Sequence, residues 1–361
     1  MAFFNRGEWS EIYALLDMLI HPNLVIGNSN LEIVTKELYQ LKSIKIISKS
    51  KNSKNLIEYS IKNKNEVAVY FNDDLSQIVS EIELCQNKQM IFEAIKNAST
   101  GNGSFDISLI KGLLMKLTKG NKIKSGSFKK EDLSAIVFDR NTGRDVSLKY
   151  SIKSSLGKPA TLLNASVHTN FLFSVSGLSS EDVKAINDIN TSSKLLDKIN
   201  KIIQCGGKIQ FVKTTDETFG YNLRMIDTKM PEYLANVLVD SYLKKEKSLK
   251  ELFLNSNQFE DESFAIKKLG DLLESISFGF FPSKKWNGTN DVNGGLVIVK
   301  HNGDVLILDL IYFRDEVINY LINETRLDSP SSTRYNMLKL FFNPTDNKCY
   351  FTLNLQIRYK K

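Results

Sequence analysis

The feature that most constrains the fold is the segment 131–155, which has the pattern of a β-hairpin. Residues 132–138 form a short run rich in apolar side chains, and residues 139–145 include an Asn and a Gly, which tolerate the backbone of tight turns. In residues 146–153 apolar and polar side chains alternate, as in a strand with one buried face. The segment therefore predicts two antiparallel strands joined by a tight turn.

The predicted hairpin brings an acid and a lysine to neighbouring strand ends. Folding it about its centre places Asp132 opposite residues 151–153. Such a pair suits metal-dependent phosphodiester cleavage, because a carboxylate binds Mg²⁺ and an ammonium favours a hydroxide nucleophile or offsets phosphorane charge. Lys153 matches Asp132 best, whereas Lys149 is predicted to lie near residues 135–136. The pattern is also common on solvated sheet surfaces, so the hairpin alone leaves both interpretations open.

Composition narrows the class of protein. The 361 residues are enough for one large or two medium domains, and no apolar run approaches the roughly 20 residues of a membrane span. Glu8 and Glu11 interrupt the N-terminal apolar residues, so we predict no secretory signal. The formal net charge of +7 is compatible with a polyanionic partner. The three cysteines and three histidines are too scattered for a zinc site or a disulfide framework, which fits a reducing cytoplasm.

Residues 6–20 predict an amphipathic helix, because apolar side chains recur at helical spacing. Asn5 and Glu8 have the spacing of a capping box at the start of this helix. That role explains Glu8, whereas Glu11 lies one turn into the helix beside the face that should be buried. Glu11 is therefore a candidate for chemistry, with a favourable contact to the helix dipole as the alternative.

Polar residues crowd after Lys153, where Gly157 and Pro159 force a turn and residues 159–165 predict the start of a helix. Hydroxyl, amide and ammonium groups at a helix start suit phosphate oxygens. Ordinary helix capping by Ser and Thr is the alternative. The candidates for phosphate contact are Ser154, Ser155, Lys158, Thr161 and Asn164.

Further elements follow from hydrophobic periodicity and turn signals. Residues 30–41 and 75–84 predict helices, and residues 295–309 predict a second hairpin with an Asn-Gly turn. Residues 234–252 predict one long helix, whose lysine-rich second half we interpret as a solvated face. A domain boundary is predicted near Gly177.

Five blocks of sequence are distributed along the chain. They are Asn-Arg-Gly-Glu-Trp-Ser-Glu-Ile-Tyr at 5–13, Ser-Ile-Lys-Ser-x-Leu-Gly-x-Pro-x-Thr-Leu-Leu-Asn-Ala at 151–165, Phe-Phe-Pro at 280–282, Asn-Gly-Gly at 293–295 and Leu-Asn-Leu-Gln-Ile-Arg at 353–358. Each block alone is a weak signal. Together they resemble the HpaII family of type II restriction endonucleases, and the resemblance spans essentially the whole chain.

The resemblance implies a PD-(D/E)XK nuclease core, dependence on Mg²⁺ and double-stranded DNA as the substrate. The family's named member recognises CCGG, and a palindromic site would suit a homodimer. The resemblance also implies a cognate DNA methyltransferase as a functional rather than a physical partner.

The chain departs from the broad nuclease pattern at Ser151, where many such enzymes have Glu or Asp. The second metal-binding carboxylate is then expected from Glu11, since several nucleases of this fold have a glutamate in the N-terminal helix. We therefore predict that Asp132 and Glu11 hold Mg²⁺, with Glu8 as the alternative to Glu11. Lys153 is predicted to assist the attacking water, and Ser151 to line the site.

The C-terminal third supplies candidates for base reading. Arginine can bind guanine O6 and N7 in the major groove, and glutamine can bind adenine. The Ser/Thr-rich segment 331–334 resembles an exposed loop that could enter a groove, which makes Arg334 the first choice. Phosphate contacts and surface ion pairs are the alternatives. The candidates are Arg326, Arg334, Gln356 and Arg358.

The predicted fold is an α/β protein with a mixed central β-sheet flanked by helices, and with helical and C-terminal β-rich additions. Residues 1–176 would form the catalytic core, residues 177–255 a helical region and residues 256–361 a strand-rich region for DNA recognition. The predicted function is site-specific cleavage of both DNA strands. The alternatives are a repair or junction nuclease that cuts by DNA structure, and a DNA-binding protein whose nuclease site has decayed.

Overall fold

The structure is a computed structural model that describes residues 4–49, 54–63, 65–98, 103–120, 129–346 and 348–360. The chain divides into two compact units. The first consists of Met1–Ala160 and Asn290–Tyr320, and the second of Thr161–Thr289 and Leu321–Lys360. Both units are discontinuous in sequence, whereas the three predicted segments are continuous. The functional roles of those segments stay predictions.

Strands and helices are numbered here along the whole chain. The helices of the first unit are α1 (Arg6–Ile20), α2 (Glu81–Asn97) and α3 (Lys111–Thr118), with a 3₁₀ turn at Ser108–Ile110. Its strands are β1 (Ile26–Gly27), β2 (Ile33–Thr35), β3 (Tyr39–Lys49), β4 (Lys54–Asn63), β5 (Glu66–Phe71), β6 (Asp74–Ser80), β7 (Leu133–Asp139), β8 (Arg144–Ser154), β12 (Gly295–Val299) and β13 (Val305–Asp309). Helix α10 (Arg314–Glu324) contains the boundary between the units.

The sheet of the first unit has ten strands, in the order β2-β1-β13-β12-β8-β7-β3-β4-β5-β6. It is mixed, because β1 pairs with β13 and β12 pairs with β8 in parallel, while its other neighbouring strands are antiparallel. The predicted α/β fold with a mixed central sheet flanked by helices is therefore confirmed. Strand β8 lies inside this sheet, between β7 and β12.

Helix α1 packs its apolar face against the sheet, including β8. Trp9, Ile12 and Leu16 are buried in the same core as the apolar side chains of β7 and β8. At the helix start the predicted capping box is present, because the Asn5 backbone N–H donates to the Glu8 carboxylate at 2.8 Å and the Asn5 side chain accepts from the Glu8 backbone. A cap of this type contributes about 1 kcal/mol. Capping and burial together hold α1 against β8.

Two predicted helices of the first unit are wrong. Residues 30–41 form β2 and the start of β3, because the β-branched run favours extended backbone and β3 pairs with β4 and β7. Residues 75–84 form most of β6 and only the first turn of α2. Asn72 and Asp73 adopt φ angles of 49° and 71°, which make the tight turn that pairs β6 with β5. Strand pairing outweighs local helical spacing in both segments.

The helices of the second unit are α4 (Ser180–Asn187), α5 (Lys194–Gln204), α6 (Glu217–Ile226), α7 (Met230–Leu243), α8 (Leu249–Leu254) and α9 (Glu262–Phe278). Its strands are β9 (Thr161–Leu163), β10 (Asn170–Ser176), β11 (Lys208–Thr214), β14 (Thr325–Leu327), β15 (Phe341–Asn343), β16 (Lys348–Asn354) and β17 (Ile357–Tyr359), with a 3₁₀ turn at Val167–Thr169. They form a four-stranded sheet, β11-β10-β16-β15, and a three-stranded sheet, β14-β17-β9. In the part of the chain that the structure describes, no helix is long and apolar enough to cross a membrane.

Two further predictions are wrong in the second unit. Residues 159–165 contain β9 rather than the start of a helix, because β9 pairs with β17 near the end of the chain. Residues 234–252 do not form one helix, since α7 ends at Leu243, Lys245 adopts a φ angle of 54° and α8 begins at Leu249. The second predicted hairpin, by contrast, is confirmed in the first unit as β12 and β13.

Candidate active site

Strands β7 and β8 form the predicted antiparallel hairpin. Leu133 pairs with Tyr150, and the backbone N–H of Asp132 donates to the carbonyl oxygen of Tyr150 at 2.8 Å. Asp132 therefore lies opposite Ser151, in the register that the sequence predicts. The polar end of this hairpin is positioned by β12, which pairs with β8 on its other side.

A chain of hydrogen bonds connects Lys153, Ser151 and Asp132. Lys153 Nζ donates to Ser151 Oγ at 2.8 Å, and Ser151 Oγ donates to Asp132 Oδ2 at 3.1 Å. The backbone N–H of Ile152 donates to the same carboxylate oxygen at 2.7 Å. Ser151 is only 2% exposed, whereas Asp132 and Lys153 are half-buried. A buried serine thus holds together two charged groups that remain partly accessible to solvent.

Lys149 belongs to a different contact. It lies opposite Ser134 rather than residues 135–136, and its ammonium forms an ion pair with Glu131 Oε2 at 3.1 Å. Lys129 contacts the other oxygen of Glu131 at 2.8 Å. Burial raises the pKa of Glu131, but hydrogen bonds from the two lysines outweigh burial, so its net pKa lies below the usual value. Ionised Glu131 therefore holds Lys149, and the geometry favours Lys153 as the lysine that acts with Asp132.

Two charged residues near this site, Glu131 and Lys130, are absent from the sequence prediction. Burial, and then the charge of Lys153, lower the pKa of Lys130 to a net value of about 7. The carboxylates of Asp132 and Asp291 act in the opposite direction. Strongly perturbed pKa values of this kind are common near functional sites. The signal that could have found both residues is the run of consecutive charged residues that ends at Asp132, immediately before an apolar strand.

Helix α1 brings the predicted glutamates into the same unit as the hairpin. A Cβ atom built at Gly157 would lie 3.2 Å from Cδ of Arg6, so the turn that follows β8 contacts the first residue of α1. Both glutamates are half-buried, and Glu8 is engaged in the helix cap. The assignment of a chemical role to Glu11, with Glu8 as the alternative, stays a prediction.

Among the residues that the structure describes, no group of three or more His, Cys, Asp or Glu side chains is arranged to hold a metal ion. Glu8, Glu11 and Asp132 therefore do not form a three-carboxylate centre. Ser151 Oγ and the Ile152 backbone N–H both donate to Oδ2 of Asp132. Among the described residues this leaves Oδ1 available to an oxygen-ligated cation. At most one of the two glutamates can share a cation with Asp132 in this arrangement.

The phosphate-contact candidates of the first unit lie directly after Lys153. Ser154 Oγ accepts from the backbone N–H of Leu156 at 3.1 Å, and the backbone N–H of Ser155 donates to Val299 at 2.8 Å. Lys158 is exposed. These contacts order the turn, and the roles of Ser154, Ser155 and Lys158 in binding phosphate stay predictions.

The remaining phosphate-contact candidates, Thr161 and Asn164, belong to the second unit. Thr161 is half-buried in β9, where it pairs with Arg358, and Asn164 is exposed after the strand ends. The helix start that would have grouped the five candidates does not form. Roles for Thr161 and Asn164 therefore stay predictions without that geometric support.

Two of the base-reading candidates share one acidic partner. Arg326 Nη1 lies 3.4 Å from Asp328 Oδ1, and Arg358 Nε lies 2.6 Å from Asp328 Oδ2. Gln356 is 8% exposed, between β16 and β17. The two arginines are therefore paired with a carboxylate within the second unit, and base contacts from all three side chains stay predictions.

Arg334 differs from the other candidates. It is exposed in the predicted loop, its guanidinium lies 5.5 Å from the centre of the Tyr335 ring, and it forms no ion pair with any residue that the structure describes. Its backbone N–H donates to Ser331 Oγ at 3.2 Å. The loop thus presents one arginine whose charge is not neutralised by a carboxylate.

Comparisons with known proteins identify the family of this chain. The model of the HpaII restriction endonuclease family matches residues 5–359. The type II restriction enzyme HpaII of Haemophilus parainfluenzae is 32% identical over 363 residues, which cover 98% of this chain and 98% of that enzyme. No solved structure matches this chain. The chain therefore belongs to the HpaII restriction endonuclease family, and it is a type II site-specific deoxyribonuclease.

Proposed function

We propose that this enzyme uses Mg²⁺ to cut both strands of a short palindromic DNA sequence such as CCGG. The observation that supports the chemistry is the hydrogen-bond chain from Lys153 through Ser151 to Asp132. The observation that supports the substrate is membership of a restriction endonuclease family across nearly the whole chain.

In the hairpin the Asp132 carboxylate and the Lys153 ammonium have different roles. The Lys153 ammonium offsets the negative charge that develops on the scissile phosphate. Ser151 fixes the position of Lys153, because its hydroxyl accepts from Nζ while it donates to Asp132. The Ile152 backbone N–H, which also donates to Asp132, orients the carboxylate without adding charge.

Asp132 and Glu11 are the residues that would hold Mg²⁺. Asp132 offers a carboxylate oxygen immediately before β7, where its backbone N–H donates to Tyr150, and Glu11 offers one from a helix packed on the same sheet. When bound, Mg²⁺ supplies Lewis-acid polarisation of the phosphate. Ser151 occupies the position where many related nucleases have a second acid, which is why a carboxylate from the helix is needed.

A palindromic substrate implies that two copies of one site act across a two-fold axis. We propose a homodimer on the DNA for this reason, and a methyltransferase of the same specificity as the functional partner that protects the host sequence. Both proposals rest on the family and on the symmetry of a palindrome.

Sequencing the ends of digested DNA tests the proposed function most directly. The purified chain is incubated with phage or plasmid DNA in Mg²⁺ and, as a control, in EDTA. We expect discrete fragments in Mg²⁺ only, with one short palindrome at every end. The Asp132→Ala variant, prepared in the same way, controls for contaminating nucleases.

Other outcomes would select the alternatives. Ends without a common sequence would indicate a nuclease that recognises DNA structure. Specific binding in EDTA without cleavage after Mg²⁺ is added would indicate a DNA-binding protein whose nuclease site has decayed. CCGG in particular is contradicted if a different sequence recurs at the ends.

A further inference from the structure

A pocket in the second unit lies where the predicted long helix breaks. It has a volume of about 470 Å³, which is within the range of ligand sites. Its walls are the start of α5, the end of α7 with the segment after it, and the loop near residue 330. Polar side chains in these walls include Ser193, Lys194, Lys245, Lys247, Ser329 and Ser332.

The charged side chains that line this pocket are all positive. Lys194, Lys245 and Lys247 line it, and no aspartate or glutamate does. None of the three lysines forms an ion pair with a residue that the structure describes. A pocket of similar volume in the first unit, about 430 Å³, differs in this respect, because its lysines are accompanied by Asp17, Glu32 and Asp304. Uncompensated positive charge in a pocket attracts an anion.

The Lys247 ammonium is partly shielded from solvent. Its side chain is half-buried, with the ammonium 4.7 Å from the centre of the Tyr242 ring and 3.3 Å from Ser329 Oγ. Burial lowers the pKa of Lys247, and the charge of Arg326 lowers it further, although Asp328 acts in the opposite direction. An anion in the pocket would compensate the partly desolvated cation.

Neutral donors complete the pocket. Ser193 is the N-cap residue of α5, an 11-residue helix, yet its hydroxyl makes no capping hydrogen bond. Ser193 and the first residue of α5, Lys194, both line the pocket, so the positive end of the helix dipole opens there as well. Hydroxyls, backbone N–H groups and ammonium groups together are the donors that phosphate oxygens accept from.

The neighbouring lysine of the same run serves as an internal contrast. Lys244 does not line the pocket, and it pairs with Asp240 at 2.8 Å one helical turn away. The interpretation of this run as a solvated face suits Lys244. Lys245 and Lys247 lie after the end of α7, where the positive φ of Lys245 turns the chain out of the helix.

We propose that this pocket binds a phosphate of the DNA backbone, as a contact separate from the nuclease site. The source is DNA rather than a free phosphorylated molecule because Ser332, in the pocket wall, belongs to the same exposed loop as Arg334. The inference rests on the proposed function, since it takes duplex DNA as the substrate. It adds a sequence-independent contact that positions the duplex.

The salt dependence of DNA binding tests this proposal. Binding of a fluorescent duplex that contains the cleaved sequence is measured by anisotropy in EDTA at several salt concentrations. The double variant Lys245→Gln/Lys247→Gln is compared with the wild type and with Lys244→Gln, which removes the same type of charge from outside the pocket. We expect the slope of log K against log salt to become shallower by about 0.9 for each phosphate that the variant no longer neutralises. The control should keep the wild-type slope.

A second arm distinguishes the two sources of phosphate. Binding of inorganic pyrophosphate to wild type and double variant is measured by calorimetry, with melting temperatures as a check on folding. An unchanged DNA slope together with loss of pyrophosphate binding overturns the DNA source in favour of a free phosphorylated molecule. An unchanged slope without any pyrophosphate binding overturns the pocket as an anion site. If the wild-type enzyme neither binds nor cuts DNA, the proposed function fails by itself, and the pyrophosphate arm still decides the pocket.

Discussion

The hairpin β7–β8 and the C-terminal segment 325–360 both contain the residue types expected of an enzyme that cuts DNA, but they use them differently. In the hairpin, Lys153 reaches Asp132 through a neutral hydroxyl, so both charges remain available for a substrate. In the C-terminal segment, Arg326 and Arg358 end on the carboxylate of Asp328. A suitable residue type therefore identifies a candidate, and its partners in the fold decide whether its charge is available.

The largest effects are expected from the two charged ends of the hairpin network. Asp132→Ala and Lys153→Ala should each lower the cleavage rate by about three orders of magnitude or more, because a metal ligand or a charge-stabilising group is removed. DNA binding in EDTA should persist. Single-turnover cleavage and anisotropy measure the two properties separately. Lys149→Ala is the matched control, since Lys149 pairs with Glu131. A large decrease in this control with normal cleavage by the Lys153 variant would exchange the roles of the two lysines.

Helix α1 allows the same comparison between a structural acid, Glu8, and a predicted metal ligand, Glu11. If Glu11 supplies the second carboxylate, Glu11→Gln should nearly abolish cleavage with little change in melting temperature. Glu8→Gln should instead cost at most about 1 kcal/mol of stability, because Gln can also complete the capping box, and should leave cleavage almost unchanged. Cleavage assays and thermal melts of both variants decide between them. The opposite pattern would transfer the metal role to Glu8.

The sequence predicts contacts between residues that are near one another in the chain better than contacts between distant segments. The hairpin register follows from alternation and turn residues within one short segment, so the position of Asp132 opposite Ser151 is predictable. The same holds for the cap at Glu8. The pairing of β9 with β17 joins segments that are distant in sequence, and no local sequence pattern predicts it. For that reason the local pattern of residues 159–165 predicts a helix start where the fold has a strand.

Partners are still harder to predict than elements. Nothing near Arg358 in sequence indicates that Asp328 will neutralise it, because that ion pair requires β14 and β17 to be neighbours. The same limitation applies to Lys245 and Lys247, whose pocket is completed by a loop more than eighty residues away in the chain. The pattern of lysines predicts a charged surface. Only the tertiary structure shows that Lys245 and Lys247 line a pocket, whereas Lys244 does not.

Ser151 tests whether the hydroxyl link is needed in addition to the charges. Ser151→Ala removes both hydrogen bonds of the link while leaving Asp132 and Lys153 in place. Removing a group that orients a metal ligand typically costs about 10- to 100-fold in activity. Cleavage rates of Ser151→Ala and of Ser151→Thr, which keeps the hydroxyl, measure this effect. Equal decreases in both variants would point to packing at the buried position rather than to the hydrogen bonds.

Arg334 tests whether the C-terminal region contributes base recognition at all. If Arg334 contacts a guanine, Arg334→Ala should weaken binding to the cognate duplex by about 1–3 kcal/mol and relax discrimination at one base pair. Binding to the cognate site and to singly substituted duplexes measures both effects. An equal weakening on every duplex would identify a phosphate contact instead. Arg358→Ala is the contrasting variant, because it removes the ion pair with Asp328 and should lower the melting temperature.

The turn end of the hairpin supplies a prediction about stability rather than chemistry. Asp139 is 3% exposed, and its carboxylate accepts from the Tyr312 hydroxyl at 2.7 Å and from the Asn141 backbone N–H at 2.9 Å. Burial raises the pKa of Asp139, but hydrogen bonds from Tyr312 and the turn amides lower it more, so the net pKa lies below the usual value. The ionised form is therefore the one that the fold stabilises.

A lowered pKa fixes the direction of the pH dependence. The contribution of Asp139 to stability is present above its unfolded pKa of about 3.9, and it disappears as pH falls through the lower pKa of the folded state. Asp139→Asn should therefore reduce the free energy of unfolding by about 1–3 kcal/mol at neutral pH, and the difference from wild type should shrink below about pH 4. Urea denaturation of both proteins at neutral and acid pH measures the difference. Tyr312→Phe, which removes one donor, should show a smaller decrease. A difference that stays constant down to about pH 2 would mean that the Asp139 side chain acts through shape and neutral hydrogen bonds rather than through its charge.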